Sequence, residues 1–103
     1  MTTEELILKI KEKSRCFDSI VYRQCFMYLL FENFGLSYYR IGKIISLDTD
    51  TVRNACKKFK GFVEVNDKYA QIALKEFDKH EVDTDLVNIY IDKINICNYE
   101  QYN

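Results

Sequence analysis

A chain of 103 residues with 48% apolar and 15% aromatic side chains can bury one modest core but not two independent ones, and its apolar share sets it apart from disordered sequences. The net charge of −1 hides a division: residues 1 to 62 hold 11 Lys and Arg against 7 Asp and Glu, a net of +4, while residues 63 to 103 hold 4 against 9, a net of −5. No apolar run approaches the ~18 residues that cross a bilayer, and the opening MTTEELILKIKEK is charged and amphipathic rather than a signal segment, so a cytoplasmic protein with no membrane partner is expected.

With no proline and only three glycines, few positions can break a helix or shape a hairpin, which favours helices joined by short turns. Thr2 and Glu5 have the spacing of a capping box, and Leu6, Ile7 and Ile10 follow on one face of a first helix whose Lys9, Lys11 and Lys13 lie toward its end. A second helix is expected from about Ser19, behind Asp18 as cap, to Gly35, whose missing Cβ suits a left-handed stop. Apolar residues surround most of its circumference, so it should be the central, buried helix. Ser37 caps a short third helix, YYRIGKII, and Asp48 a fourth, TDTVRNACKKFK, ending at Gly61. Asn66 or Asp67 then starts a fifth, KYAQIALKEFDK, with Tyr69, Ile72, Ala73 and Phe77 on one side. In the last segment, Val87, Ile91, Ile94 and Cys97 fit a helix while IYIDKINI alternates like a strand; with no strand partner elsewhere, the helix is preferred. The fold class expected is all-α, a small domain of five to six helices.

Cys16, Cys25, Cys56 and Cys97 form no CxxC pair and no zinc-ligand spacing, and read as buried free thiols. His80 sits in the polar run DKHEVDTD and reads as a solvated loop residue. No cofactor or metal is expected.

The third and fourth helices carry the functional signal. In a helix-turn-helix the first helix needs a small residue at the crossing, and the second buries apolar residues at i and i+3 while its other face enters the groove. Here Gly42 follows Ile41, Ile45 closes the first helix, the turn is Ser46-Leu47-Asp48, and Val52 with Ala55 supplies the buried pair. This leaves Thr49, Asp50, Arg53, Asn54 and Lys57 pointing outward. Arg53 can read guanine through two hydrogen bonds and Asn54 can read adenine, while Lys57, Lys58 and Lys60 can meet phosphates. The plainer reading is that two amphipathic helices pack and the outward residues are a solvated face. Asp48 has the place of a helix cap; Asp50 can accept from a cytosine amino group or repel phosphates.

From Ser14 to about Phe77 the chain resembles the C-terminal DNA-binding domain of the bacterial replication initiator DnaA. The matching pieces are SR at Ser14 and Arg15, RQCFMYL from Arg23, LS at Leu36 and Ser37, IGK from Ile41, and DTDTVRNACKKF from Asp48. The resemblance implies an all-helical domain with a helix-turn-helix in the major groove, assisted by an arginine that enters the minor groove and aligns with Arg23. With Thr49, Asp50, Arg53 and Asn54 at the base edges, the expected phosphate contacts are Ser37, Arg40, Lys43, Thr51, Lys57 and Lys58. The family's signature runs Arg-Asp-His-Ser/Thr-Thr-Val, where this chain has Leu47, Asp48, Thr49, Asp50, Thr51 and Val52. The basic and imidazole groups are gone, so reading of the initiator's own DNA box is not implied. Neither is its ATPase, since no Gly-rich phosphate loop is present.

The expected organisation is a helix-turn-helix domain over residues 1–79 and an acidic, tyrosine-rich extension over 80–103, read as helical and packed on the same domain. The expected function is a stand-alone double-stranded DNA-binding protein, a transcription or replication regulator of phage or mobile-element type. The alternative is a protein-interaction module that keeps the fold but has lost base reading, with Tyr90, Tyr99 and Tyr102 of the extension as anchors for a protein partner or for self-association. An enzyme is not expected, because no nucleophile with a paired base and no carboxylate cluster in an apolar setting is visible.

Overall fold

The computed structural model describes residues 2–11 and 17–80, and the expectations for 12–16 and 81–103, among them the C-terminal helix, Cys16, Cys97 and the tyrosines of the extension, lie outside the described residues. The fold is all-α. Five helices are described: α1 (Thr3–Lys11), α2 (Phe17–Glu32), α3 (Tyr38–Ile45), α4 (Thr49–Glu64) and α5 (Lys68–Lys79). None is long and apolar enough to cross a membrane.

α1, α3, α4 and α5 start where a side chain can satisfy an open amide. Thr2 Oγ1 accepts from the Glu5 N–H at 3.1 Å, half of the expected capping box. Leu6, Ile7 and Ile10 of α1 are buried, as their spacing requires. The second helix begins at Phe17, so Asp18 lies inside its first turn rather than at the cap, and it ends at Glu32, before Gly35. Gly35 does take the left-handed conformation, φ +66°, within the loop that follows. The Leu36 amide reaches back to the Leu30 carbonyl at 3.2 Å across that loop.

α2 packs against each of the other four helices. Its Cys25, Phe26 and Leu30 meet a core completed by Leu6 and Ile10 of α1, Ile41 of α3, Val52 and Phe59 of α4 and Phe77 of α5. Each fully buried aliphatic or phenyl side chain contributes roughly 1.5–3 kcal/mol, so this small set accounts for the choice of inward faces. Two ring contacts orient the outer helices: Tyr28 of α2 meets Phe59 of α4 at 5.2 Å between centroids, and Phe26 stacks on Phe77 of α5 at 6.1 Å. Cys25 and Cys56 are buried free thiols in this core. Burial pushes both thiols up, that of Cys56 to about 11, so they stay protonated at neutral pH.

Besides the two ends of α2, three further points differ from the reading of the sequence. α4 continues through Gly61 to Glu64. The stop is Asn66, at φ +55°: its amide bonds the Val63 carbonyl at 3.1 Å, and the Asp67 amide bonds the Phe62 carbonyl at 2.9 Å. These are the paired bonds of a Schellman closure, in which asparagine is the usual second choice to glycine. Asp67 then caps α5, its Oδ2 accepting from the Tyr69 and Ala70 amides, both at 3.1 Å.

The buried face of α5 is Ala70, Ala73 and Phe77, while Tyr69 and Ile72 are exposed. Two alanines let α5 approach α2 closely enough for Phe77 to reach both Tyr22 and Phe26. His80 is not a solvated loop residue: it caps the C-terminus of α5, its side chain is 10% exposed, and Nε2 lies 3.6 Å from Glu76 Oε2 one turn back.

Candidate nucleic-acid interface

Ser37 opens α3, its Oγ accepting from the Arg40 amide at 3.2 Å. The helix ends at Ser46, which takes the left-handed conformation, φ +62°, and the Leu47 amide bonds back to the Gly42 carbonyl at 3.0 Å. Asp48 opens α4 immediately afterwards. Its Oδ1 accepts from the Thr51 amide at 3.2 Å. Hydrogen bonding from Thr51 holds the Asp48 carboxyl below the usual carboxylate range, against a smaller opposing effect of desolvation. Two helices are thus joined by the three residues Ser46, Leu47 and Asp48, with each exposed helix end satisfied by its own side chains and backbone.

Gly42 is what allows so tight a connection. A Cβ there would lie 2.5 Å from the Leu47 carbonyl oxygen and 3.6 Å from Val52 Cγ2. The small residue expected at the crossing is therefore required chiefly by the backbone of the turn, and only then by α4. Val52, Ala55, Cys56 and Phe59 turn inward on α4, which leaves Asp50, Asn54 and Lys57 along one outward line and Thr51 with Lys58 along the next. Asn54, Thr51, Lys57, Lys58 and Lys60 are exposed, as are Arg40 and Lys43 on α3 and Ser37 at its cap.

Arg53 is more constrained than its neighbours. Nη1 forms an ion pair with Asp50 Oδ1 at 2.8 Å, and the guanidinium carbon stands 5.9 Å from the centre of the Tyr38 ring. Tyr38 in turn stacks on Phe31 of α2 with centroids 4.5 Å apart and planes at 11°. Lys43 Nζ lies 5.3 Å from the centre of the Tyr39 ring, within cation–π reach. Thr49 is half-buried and lines, with Tyr39, Lys43 and Leu47, a cleft of about 390 Å3 beside the turn.

The structure therefore brings Thr49, Asp50, Thr51, Arg53, Asn54, Lys57 and Lys58 together on α4, with Arg40 and Lys43 on the adjoining helix and Ser37 at its cap. Arg23 is on α2, half-buried in its second turn. It lies roughly 80–140° around that helix from Phe31 and Tyr28, which touch α3 and α4. Sequence reasoning misses Tyr38 and Tyr39 as partners of the basic side chains. It also leaves two roles open for Asp50, although the Asp-x-x-Arg spacing is a readable signal for an i, i+3 pair.

The chain matches no protein-family model, no curated protein and no solved structure, so the family resemblance rests on the matching residues alone.

Proposed function

We propose that the protein is a small, cytoplasmic double-stranded DNA-binding protein, a regulator of transcription or replication, in which α3 and α4 act as a helix-turn-helix with α4 in the major groove. The observation that carries this reading is the outward face of α4. Four buried residues anchor the helix, and a first-turn carboxylate, an arginine, an asparagine and lysines are left outside on a cylinder that a groove about 12 Å wide accepts. In this reading Arg53 and Asn54 meet base edges, Thr49 and Asp50 lie at the groove floor, and Ser37, Arg40, Lys43, Thr51, Lys57 and Lys58 meet phosphates. Arg23 takes the minor-groove role that the family resemblance implies.

Duplex binding measured by fluorescence anisotropy across a series of salt concentrations tests it. With four cations, Arg40, Lys43, Lys57 and Lys58, on phosphates, log affinity should fall against log salt with a slope of roughly −3 to −4. Absence of binding at low salt, or a flat dependence, would sink the reading.

A second reading, a protein-interaction module, is favoured by two observations. Asp50 already neutralises Arg53, and Val65, Tyr69 and Ile72 are exposed apolar residues near the start of α5. Selection from a random duplex library separates the two, since only the first enriches a motif.

A further inference from the structure

The contacts of Arg53 deepen the DNA reading and rest on it. An arginine that reads guanine must present its donor fork in one plane and one direction, yet a long side chain on an exposed helix face samples many. Here two neighbours restrict it. Asp50 takes Nη1 at 2.8 Å from one side, and the Tyr38 ring stands 5.9 Å from the guanidinium carbon on another. Tyr38 is itself held by stacking of its ring on Phe31 of the central helix at 4.5 Å. A line of contacts, Phe31, Tyr38, Arg53, Asp50, thus runs from the edge of the core to an exposed carboxylate, through α2, α3 and α4.

The Arg53 side chain remains 43% exposed and that of Asp50 76% exposed, so neither is sealed by the pairing. The guanidinium has five N–H donors and only one is used on Asp50 Oδ1, which leaves the second carboxylate oxygen as a further acceptor.

We infer that Tyr38 and Asp50 are positioning residues for Arg53, and that the three together form a reader for a guanine with a neighbouring cytosine. Arg53 donates to guanine O6 and N7, and Asp50 accepts from the cytosine amino group. The carboxylate also works against wrong sites. It weakens attraction to phosphates everywhere, and it finds no donor at this place when the cytosine is replaced by thymine. An unpartnered arginine would bind more tightly and discriminate less.

The test uses the full chain and duplexes enriched from a random library. Dissociation constants are measured for the selected duplex and for single base-pair replacements at each position, with thermal melting recorded for every variant. The wild-type protein should discriminate roughly 5- to 150-fold at one G·C pair. Arg53→Ala and Tyr38→Leu should bring that ratio close to one at this pair and leave the ratios elsewhere unchanged, and Tyr38→Phe should restore it. Asp50→Asn should bind unselected duplex severalfold more tightly while its discrimination shrinks. If Tyr38→Leu weakens all duplexes alike and Tyr38→Phe does not rescue, Tyr38 only packs and the inference is wrong. It is equally wrong if Asp50→Asn leaves discrimination intact. Failure of the wild-type chain to enrich any duplex overturns the DNA reading itself, and this inference with it.

Discussion

An alanine methyl group at position 42 would stand 2.5 Å from the carbonyl oxygen of Leu47, an atom of the backbone that cannot rotate away. The turn would have to open or α3 to shift, and forced overpacking of this kind costs typically 1–3 kcal/mol. Gly42→Ala should therefore lower stability by about that amount in denaturant unfolding. Four residues on, Ser46 holds φ +62°, where a side chain is unfavourable by roughly 1 kcal/mol. Ser46→Gly should accordingly raise stability, by about 0.5–1 kcal/mol, since glycine adopts this conformation without steric cost. Opposite signs from two substitutions in one turn would show that backbone geometry, rather than lost side-chain contacts, governs the connection. Equal signs would contradict it.

On the scale of the helix, Gly61 is the element's weak point. It lies inside α4 on the exposed face, and nothing stands within 4 Å of where its Cβ would be. Glycine in a helix interior costs about 0.5–1 kcal/mol relative to alanine, so Gly61→Ala should stabilise the protein by that amount, read from the shift of a urea midpoint at constant slope. A neutral or destabilising result would mean that α4 does not run past this residue. The same glycine shows where a sequence misleads. Glycine ends helices often and so reads as a stop, but the hydrogen bonds close one turn later around Asn66, which adopts the same left-handed conformation. The face of α5 misleads for a related reason: Ala73 and Phe77 are buried as their spacing suggests, but Tyr69 and Ile72 are larger apolar residues than Ala70, and close packing on α2 buries Ala70 instead. What depends on spacing alone is legible, including Val52 with Ala55, Gly42, and the caps Ser37 and Asp48. What depends on a side chain from another helix is not. Nothing local to α4 announces that Tyr38 lies over Arg53, because that contact exists only once α3 and α4 cross.

Across the whole molecule the two signs of charge are segregated along the chain, and in the proposed DNA-binding role a duplex would respond to their sum as well as to their placement. Residues 80 to 103 contain Glu81, Asp83, Asp85, Asp92 and Glu100 against Lys93 alone, a net of −4. Five carboxylates carried in the same chain as the cations of α3 and α4 reduce the net positive charge that attracts a phosphate backbone. Replacing those five residues with Asn and Gln in the full chain should tighten duplex binding severalfold at low salt. The gain should shrink toward nothing as salt approaches 1 M, where the screening length falls to about 3 Å. It should also be the same for selected and unselected duplexes, because a distant charge carries no base information. A gain confined to one sequence would instead place these carboxylates among the reading groups. No gain at low salt would mean that the acidic part contributes nothing to the potential at the α4 face, and that the charge division has no bearing on DNA affinity.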